Sequence, residues 1–251
     1  MDRFSQLEFG DTAPQGGKPP GEPVRDVGYF YKEAMKYWLS GDYEVALRNY
    51  SRVLEQDNTF FEAWAGQVLM LIELGEYREA DMWADKALEL FPEHPELLAM
   101  KAIACARDAK KKEATAYSDN SVGKENLTPR VWLARAEVFM DRKGPICESC
   151  IGKAVTGARD LSPVIKLEAG RTLRRARNYP LAIQYLKEAV QLLPRSALAW
   201  YELGCCQAAL RRDEASHSFE QSLRLRPHWA ECQAALAKFQ NRGFLRRLFG
   251  R

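Results

Sequence analysis

The chain has 251 residues, 46% of them apolar and 28% charged, the proportions of an ordinary folded protein rather than of a disordered or collagen-like one. No apolar run reaches the roughly 18–20 residues that cross a bilayer, and residues 1–10 lack the apolar stretch of a secretory leader. The six cysteines lie within helical patterns at spacings that give no disulfide framework, so reduced thiols and a cytoplasmic location are expected.

The net charge of +3 is unevenly distributed. Residues 1–94 carry 9 Lys+Arg against 18 Asp+Glu, and residues 95–251 carry 28 against 16. An acidic front and a basic back can steer a charged partner.

Taken from the N-terminus, residues 1–25 hold four glycines and four prolines with little to bury. Such a segment cannot offset its own ordering entropy, and disorder is expected. Within it Phe4, Leu7 and Phe9 form an apolar cluster, a candidate docking motif for a second protein or for the chain's own groove.

From residue 26 the pattern becomes helical and periodic. Trp64, Trp132 and Trp200 are spaced by 68 residues, twice 34. The run Gly41-Asp42-Tyr43-Glu44-Val45-Ala46 recurs as Gly75-Glu76-Tyr77-Arg78-Glu79-Ala80, then as Arg177-Asn178-Tyr179-Pro180-Leu181-Ala182. A last echo, Arg211-Arg212-Asp213-Glu214-Ala215, is one residue shorter. Prolines 92, 194 and 227 punctuate the ends of units, where the missing N–H of proline does no harm.

These residues and this period closely resemble the tetratricopeptide repeat family over about residues 27–240. The resemblance implies an all-α fold, a right-handed α-solenoid of about six helical hairpins with a C-terminal capping helix. The units fall at about 27–60, 61–94, 95–128, 129–162, 163–196 and 197–228, within a solenoid spanning 26–241. Ala46, Ala80, Ala182, Ala215, Gly170 and Gly204 occupy the small-residue positions where helices touch. The third unit ends in the polar run 119–124, for which a looser repeat with a frayed second helix is expected. The fourth carries Gly144-Pro145 at its inner turn. His228 to Gln240 reads as the cap that covers the last apolar face.

No catalytic constellation emerges. The three histidines lie in loops or on a second helix without a neighbouring nucleophile and acid, and neither a phosphate-cradling glycine loop nor a paired-carboxylate motif is present. No cofactor is expected. Cys147 and Cys150 share a helical face at i and i+3, a weak metal or redox candidate, since tetrahedral zinc needs two further ligands. The packing reading, cysteine in place of alanine, is the stronger.

The resemblance implies that first helices line a concave groove for an extended peptide or a helix. That places Tyr31, Met35, Trp38, Leu69, Ile72, Ile103, Arg107, Glu137, Arg171, Arg174, Arg175 and Tyr201 on the binding face, apolar in front and basic behind. The Lys/Asn/Arg clamp with which some members hold a C-terminal carboxylate is absent: Tyr31, Met35, Gly66, Glu96 and Met100 stand in its places. Arg171, Arg174 and Arg175 share one helical face, suited to an acidic segment or a phosphate.

Residues 242–251 form a basic amphipathic tail in which Phe244, Leu248 and Phe249 stand among four arginines. It suits an anionic membrane surface, the solenoid itself or a partner. The expected function is a protein-binding scaffold or adaptor without enzymatic activity or a small-molecule substrate. The alternative is a membrane-associated or nucleic-acid-binding adaptor that uses the basic half. Nucleic acid is disfavoured, because the arginines are not interleaved with aromatics suited to stacking.

Overall fold

A computed structural model describes residues 25–141, 145–158 and 162–249, with side chains left out at residue 162 and residues 242–249. Phe4, Leu7 and Phe9 lie outside the described residues, as do the side chains of Phe244, Leu248 and Phe249. The described residues form thirteen helices: α1 (Val27–Ser40), α2 (Tyr43–Gln56), α3 (Phe61–Leu74), α4 (Tyr77–Leu90), α5 (Pro95–Arg107), α6 (Lys111–Val122), α7 (Pro129–Val138), α8 (Ile146–Thr156), α9 (Ser162–Arg175), α10 (Tyr179–Leu192), α11 (Ala197–Ala209), α12 (Glu214–Leu225) and α13 (Ala230–Phe249). No strand occurs among these residues, and none of these helices is long and apolar enough to cross a membrane.

Local chemistry sets where the helices start and stop. Asp26 caps α1 by accepting from the Tyr29 N–H at 2.8 Å, and Ser196 caps α11 by accepting from the Ala199 N–H at 3.1 Å. Pro95 and Pro129 open α5 and α7, where the N–H they lack would be unpaired in any case.

Every described turn between paired helices closes with a left-handed residue. These are Gly41 (φ 80°), Gly75 (φ 84°), Ala109 (φ 61°), Arg177 (φ 60°) and Arg211 (φ 57°). They fall on one 34-residue lattice whose remaining position, 143, lies outside the described residues. The next residue's N–H reaches back five residues: Asp42 to Tyr37, Glu76 to Leu71, Lys110 to Cys105, Asn178 to Leu173 and Arg212 to Gln207, each at 2.9 Å. This is the hydrogen bond that ends a helix in a Schellman turn. The lattice is unbroken through residue 211, so the shorter last echo has lost its residue after the turn, between Arg211 and Ala215.

Two predicted irregularities resolve differently. The second helix of the third unit is complete, so the fraying expected there is corrected. Its polar residues serve the neighbouring unit: Arg135 donates to Ser118 Oγ at 3.2 Å and to Asp119 Oδ1 at 2.8 Å. The capping helix does not end near Gln240 but continues to Phe249.

The core divides into two clusters. The front one runs from Phe30 to Ala134, and the rear one from Leu133 to Cys232. Helix α7 feeds both, with Val131 and Ala134 on one side and Leu133 and Ala136 on the other. Close approach of the two helices within a hairpin needs the missing side chains at Gly170 and Gly204. A Cβ there would stand 2.4 Å from Leu186 and 2.8 Å from Phe219.

The arc closes on itself. Helix α11 packs against α1, and Leu39 and Tyr43 touch both clusters. Ser196 Oγ donates to the Leu39 carbonyl at 2.8 Å, and the Trp229 ring covers Gly41, where even a Cβ would lie 2.7 Å away. The first helices thus surround an enclosed lumen instead of opening as a trough.

Candidate functional site: the inner wall

Helix α9 reads SPVIKLEAGRTLRR, and its 3.6-residue period sends Arg171, Arg174 and Arg175 into the lumen together. Arg171, only 4% exposed, takes Glu73 of α3 in a two-pronged grip at 2.6 and 3.0 Å. It also donates to Glu202 of α11 at 3.0 Å and to the Tyr43 hydroxyl at 3.0 Å. A planar guanidinium is suited to several fixed acceptors at once.

Arg174 also binds Glu202, through the other carboxylate oxygen. Glu137 of α7 is held from both sides, by Arg107 Nε at 2.6 Å and by Arg175. A second group lies around Arg130, which donates to Glu96 at 3.3 Å while its Nε stands 3.6 Å from Glu168 Oε2. Thr128 supplies a further donor to Glu96 at 2.8 Å.

Five carboxylates thus meet five guanidiniums. Glu73, Glu137 and Glu202 have their carboxyls held below the ordinary range. Burial, the largest influence, pushes each upward, but the adjoining arginines outweigh it together. Glu168 goes the other way: burial raises it, and Arg130 is too distant to compensate. The Arg130 guanidinium nevertheless stays firmly charged. The two findings are compatible, because Arg130 is served by Glu96 as well, whereas Arg130 and Arg171 together do not outweigh the burial of Glu168. Arg130 Nε and Glu168 Oε2 are both buried without a hydrogen bond.

Of the residues predicted for the binding face, Leu69, Ile72, Ile103, Glu137, Arg171 and Arg175 border one inner cavity and Tyr31, Trp38 and Leu69 a second, but all twelve are covered. Trp38, Ile72, Ile103, Glu137 and Arg171 are buried, and Tyr31, Met35, Leu69, Arg107, Arg174, Arg175 and Tyr201 are half-buried. Closure of the arc covers Arg171, which meets Glu73 and Tyr43 on the other wall; elsewhere the cover comes from the same or the next hairpin. Tyr31 packs on Phe60 with ring centres 5.1 Å apart, Met35 Sδ accepts from the Tyr50 hydroxyl at 3.2 Å, and Tyr201 stacks on Trp229 at 4.6 Å. Two cavities of about 30 and 10 Å³ lie along the wall, each with room for little more than single waters.

Sequence reasoning named four of the five cations and missed Arg130; of their partners it named Glu137 for the wall and missed the pairing roles of Tyr43, Glu73, Glu96, Glu168 and Glu202. One signal was present. Glu96 and Arg130 carry opposite charges one 34-residue period apart, which puts them side by side on consecutive first helices.

Cys147 and Cys150 are buried in the rear cluster. Burial pushes the Cys147 thiol up to about 11 and raises Cys150 as well, so neither is a ready thiolate. No group of three or more His, Cys, Asp or Glu suited to a metal occurs among the described residues. The cysteines of the other helices are likewise free thiols.

A closed array of helical hairpins with a side-chain-lined inner wall defines a helical-repeat scaffold. Residues 31–95 and 167–230, just over half of the chain, match the tetratricopeptide repeat family, and the chain belongs to that family. It is 32% identical over 59 residues to an uncharacterised protein of Methanocaldococcus jannaschii, across 24% of this chain and 69% of that one.

Among solved structures, a human IFIT1 dimer with m7Gppp-AAAA is similar at TM-score 0.58 and 18% identity, over 90% of this chain and 67% of that one. Yeast Tom70 is similar at TM-score 0.55 and 20% identity, over 89% and 48%. PilW, a type IV pilus biogenesis factor, is similar at 0.51 and 19%, over 86% and 100%. At these identities the likeness establishes the fold alone. The chain spans about half the length of Tom70.

Proposed function

We propose that the protein is a scaffold that receives a charged segment of a partner protein along its inner wall, after the arc opens between α1 and α11. The observation that carries this reading is the chemistry of the lumen. The hydrophobic cores lie between the helices, while the contact across the lumen, from α9 to α3 and Tyr43, is the Arg171–Glu73 ion pair and a hydroxyl. Paired charges gain little net stability from burial, because each has given up its hydration. Opening returns them to water, so the wall can part at a lower cost than an apolar seam of the same extent.

A guest segment bearing both signs would replace Glu73 opposite Arg171 and Arg107 opposite Glu137. The photocrosslinker benzoylphenylalanine placed at Leu69, on the inner wall, and at Met82, exposed on α4, tests this in native lysate. Capture of a discrete polypeptide from position 69 and not from 82 is expected. Capture from 82 alone would move the binding surface to the outside of the array.

A further inference from the structure

Glu73 differs from the other carboxylates of the inner wall in where its partner sits. Glu137 on α7 pairs with Arg107 of α5 and Arg175 of α9, and Glu202 on α11 pairs with Arg171 and Arg174 of α9. These are contacts between consecutive first helices. Glu73, on α3, reaches past α5 and α7 to Arg171 of α9, which is its only side-chain partner among the described residues. Two parallel hydrogen bonds, at 2.6 and 3.0 Å, are the way a guanidinium recognises a carboxylate.

The charge count around α9 shows what is left when Glu73 withdraws. Arg171 and Arg174 then share Glu202, and Arg107 and Arg175 share Glu137. Four guanidiniums hold two carboxylates. Arg175 Nε is buried and without a hydrogen bond even in the closed arc, so this part of the wall already has a donor to spare. Around Arg130 the sharing is reversed: one guanidinium faces both Glu96 and Glu168.

We propose that Glu73 is an internal stand-in for the ligand, and that the guest is recognised by a side-chain carboxylate, aspartate or glutamate, which takes the place of Glu73 on Arg171. This rests on the inner-wall reading above and adds to it the chemistry of the guest and an autoinhibitory contact. The exchange replaces one two-pronged ion pair by another, and Glu202 keeps Arg171 paired while it happens. Glu73 thereby competes with every guest, and apparent affinity is reduced by the fraction of molecules in which it has let go. The zoning also orients a guest of both signs: its acidic residue lies toward α9 and α11, its basic residue toward Glu96 and Glu168.

Fluorescein-labelled dodecapeptides of alternating glutamate and serine, glutamine and serine, and phosphoserine and alanine test the proposal by anisotropy with the full chain. E73Q should bind the glutamate peptide roughly tenfold more tightly than the parent does, and the glutamine peptide should bind to neither. E89Q makes the same charge change at an exposed position of α4 and should leave the parent affinity unchanged. Benzoylphenylalanine at Leu69 of the E73Q chain should crosslink the glutamate peptide, and at Met82 it should not.

Equal affinity of E73Q and parent overturns the proposal, as does failure of E73Q to bind the glutamate peptide. Equal tightening by E89Q also overturns it, since net charge alone would then act. A tenfold preference for the phosphoserine peptide would make the ligand a phosphate and end the carboxylate assignment. If position 69 still captures a polypeptide from lysate while E73Q ignores the glutamate peptide, the carboxylate assignment fails and the inner-wall reading stands. Crosslinks from position 82 alone would instead remove that reading itself. Unchanged far-UV circular dichroism in each variant separates these outcomes from misfolding.

Discussion

The lumen shows how the same residue type can carry opposite energetic signs a few ångströms apart. Glu137 lies between two guanidiniums and is held ionised. Because its folded pKa is lowered, its contribution to stability is present above the unfolded carboxyl range and is lost as pH falls through the folded value. Glu168 is raised by burial, so its contribution is fully present at low pH and is lost as pH rises through the raised value. At neutral pH it therefore burdens the fold.

Glu137→Gln should destabilise at pH 7 by roughly 2–3 kcal/mol, at or below the low end for a buried pair, as two half-buried cations lose their shared counter-charge. Glu168→Gln should raise Tm by about 2–4 °C at pH 7, the shift that roughly 1 kcal/mol makes in a chain of this size. The gain should shrink toward pH 4. Calorimetric scans of both variants across that range check the pair; a Glu168→Gln protein that melts earlier at pH 7 would mean that its long contact with Arg130 outweighs its burial.

The inter-helix turns give the clearest prediction at the level of elements. An L-residue in the left-handed region costs about 1 kcal/mol or more relative to glycine. Gly41 and Gly75 avoid that cost, and Ala109, Arg177 and Arg211 bear it in the same geometry. Ala109→Gly should therefore stabilise by several tenths to about 1 kcal/mol, partly offset by the freer unfolded chain. A denaturant midpoint that does not rise would place the strain elsewhere.

The turns also mark how far the sequence could be read. Where glycine or the tyrosine after it survives, as at Gly41, Gly75 and Tyr179, hairpins and period were legible. At Ala109 no residue type announces the turn, and the complete α6 was legible only as polar sequence, because its side chains serve α7 instead of an apolar core. The inner-wall positions were legible through the family resemblance, which implies that first helices line the concave face. Their burial was not, since it depends on how far successive hairpins rotate. Small changes at each hairpin contact accumulate until α11 meets α1, and no single residue encodes that sum.

At the scale of the whole molecule, two apolar clusters joined through α7 are held in a closed arc by a seam of mixed character. One part is apolar, with Trp229 over Gly41; the other is polar, with Arg171 reaching Glu73 and Tyr43 across the lumen. The polar part determines whether closure is a fixed property or one state of an equilibrium. Glu73→Gln with Tyr43→Phe removes the carboxylate charge and the hydroxyl that Arg171 meets on the opposite wall, while Glu202 still pairs with it. The guanidinium is then not stranded, and folding of each half should survive.

A compact chain of this length has a radius of gyration of about 18 Å, and an arc opened at α1 and α11 must exceed that by a few ångströms. Small-angle scattering of the double variant should show this increase with helix content unchanged. A radius identical to that of the parent would assign closure to the Trp229 contact. A guest would then have to displace an apolar seam before reaching the charged wall, which demands far more differential affinity than breaking an ion pair that water can solvate.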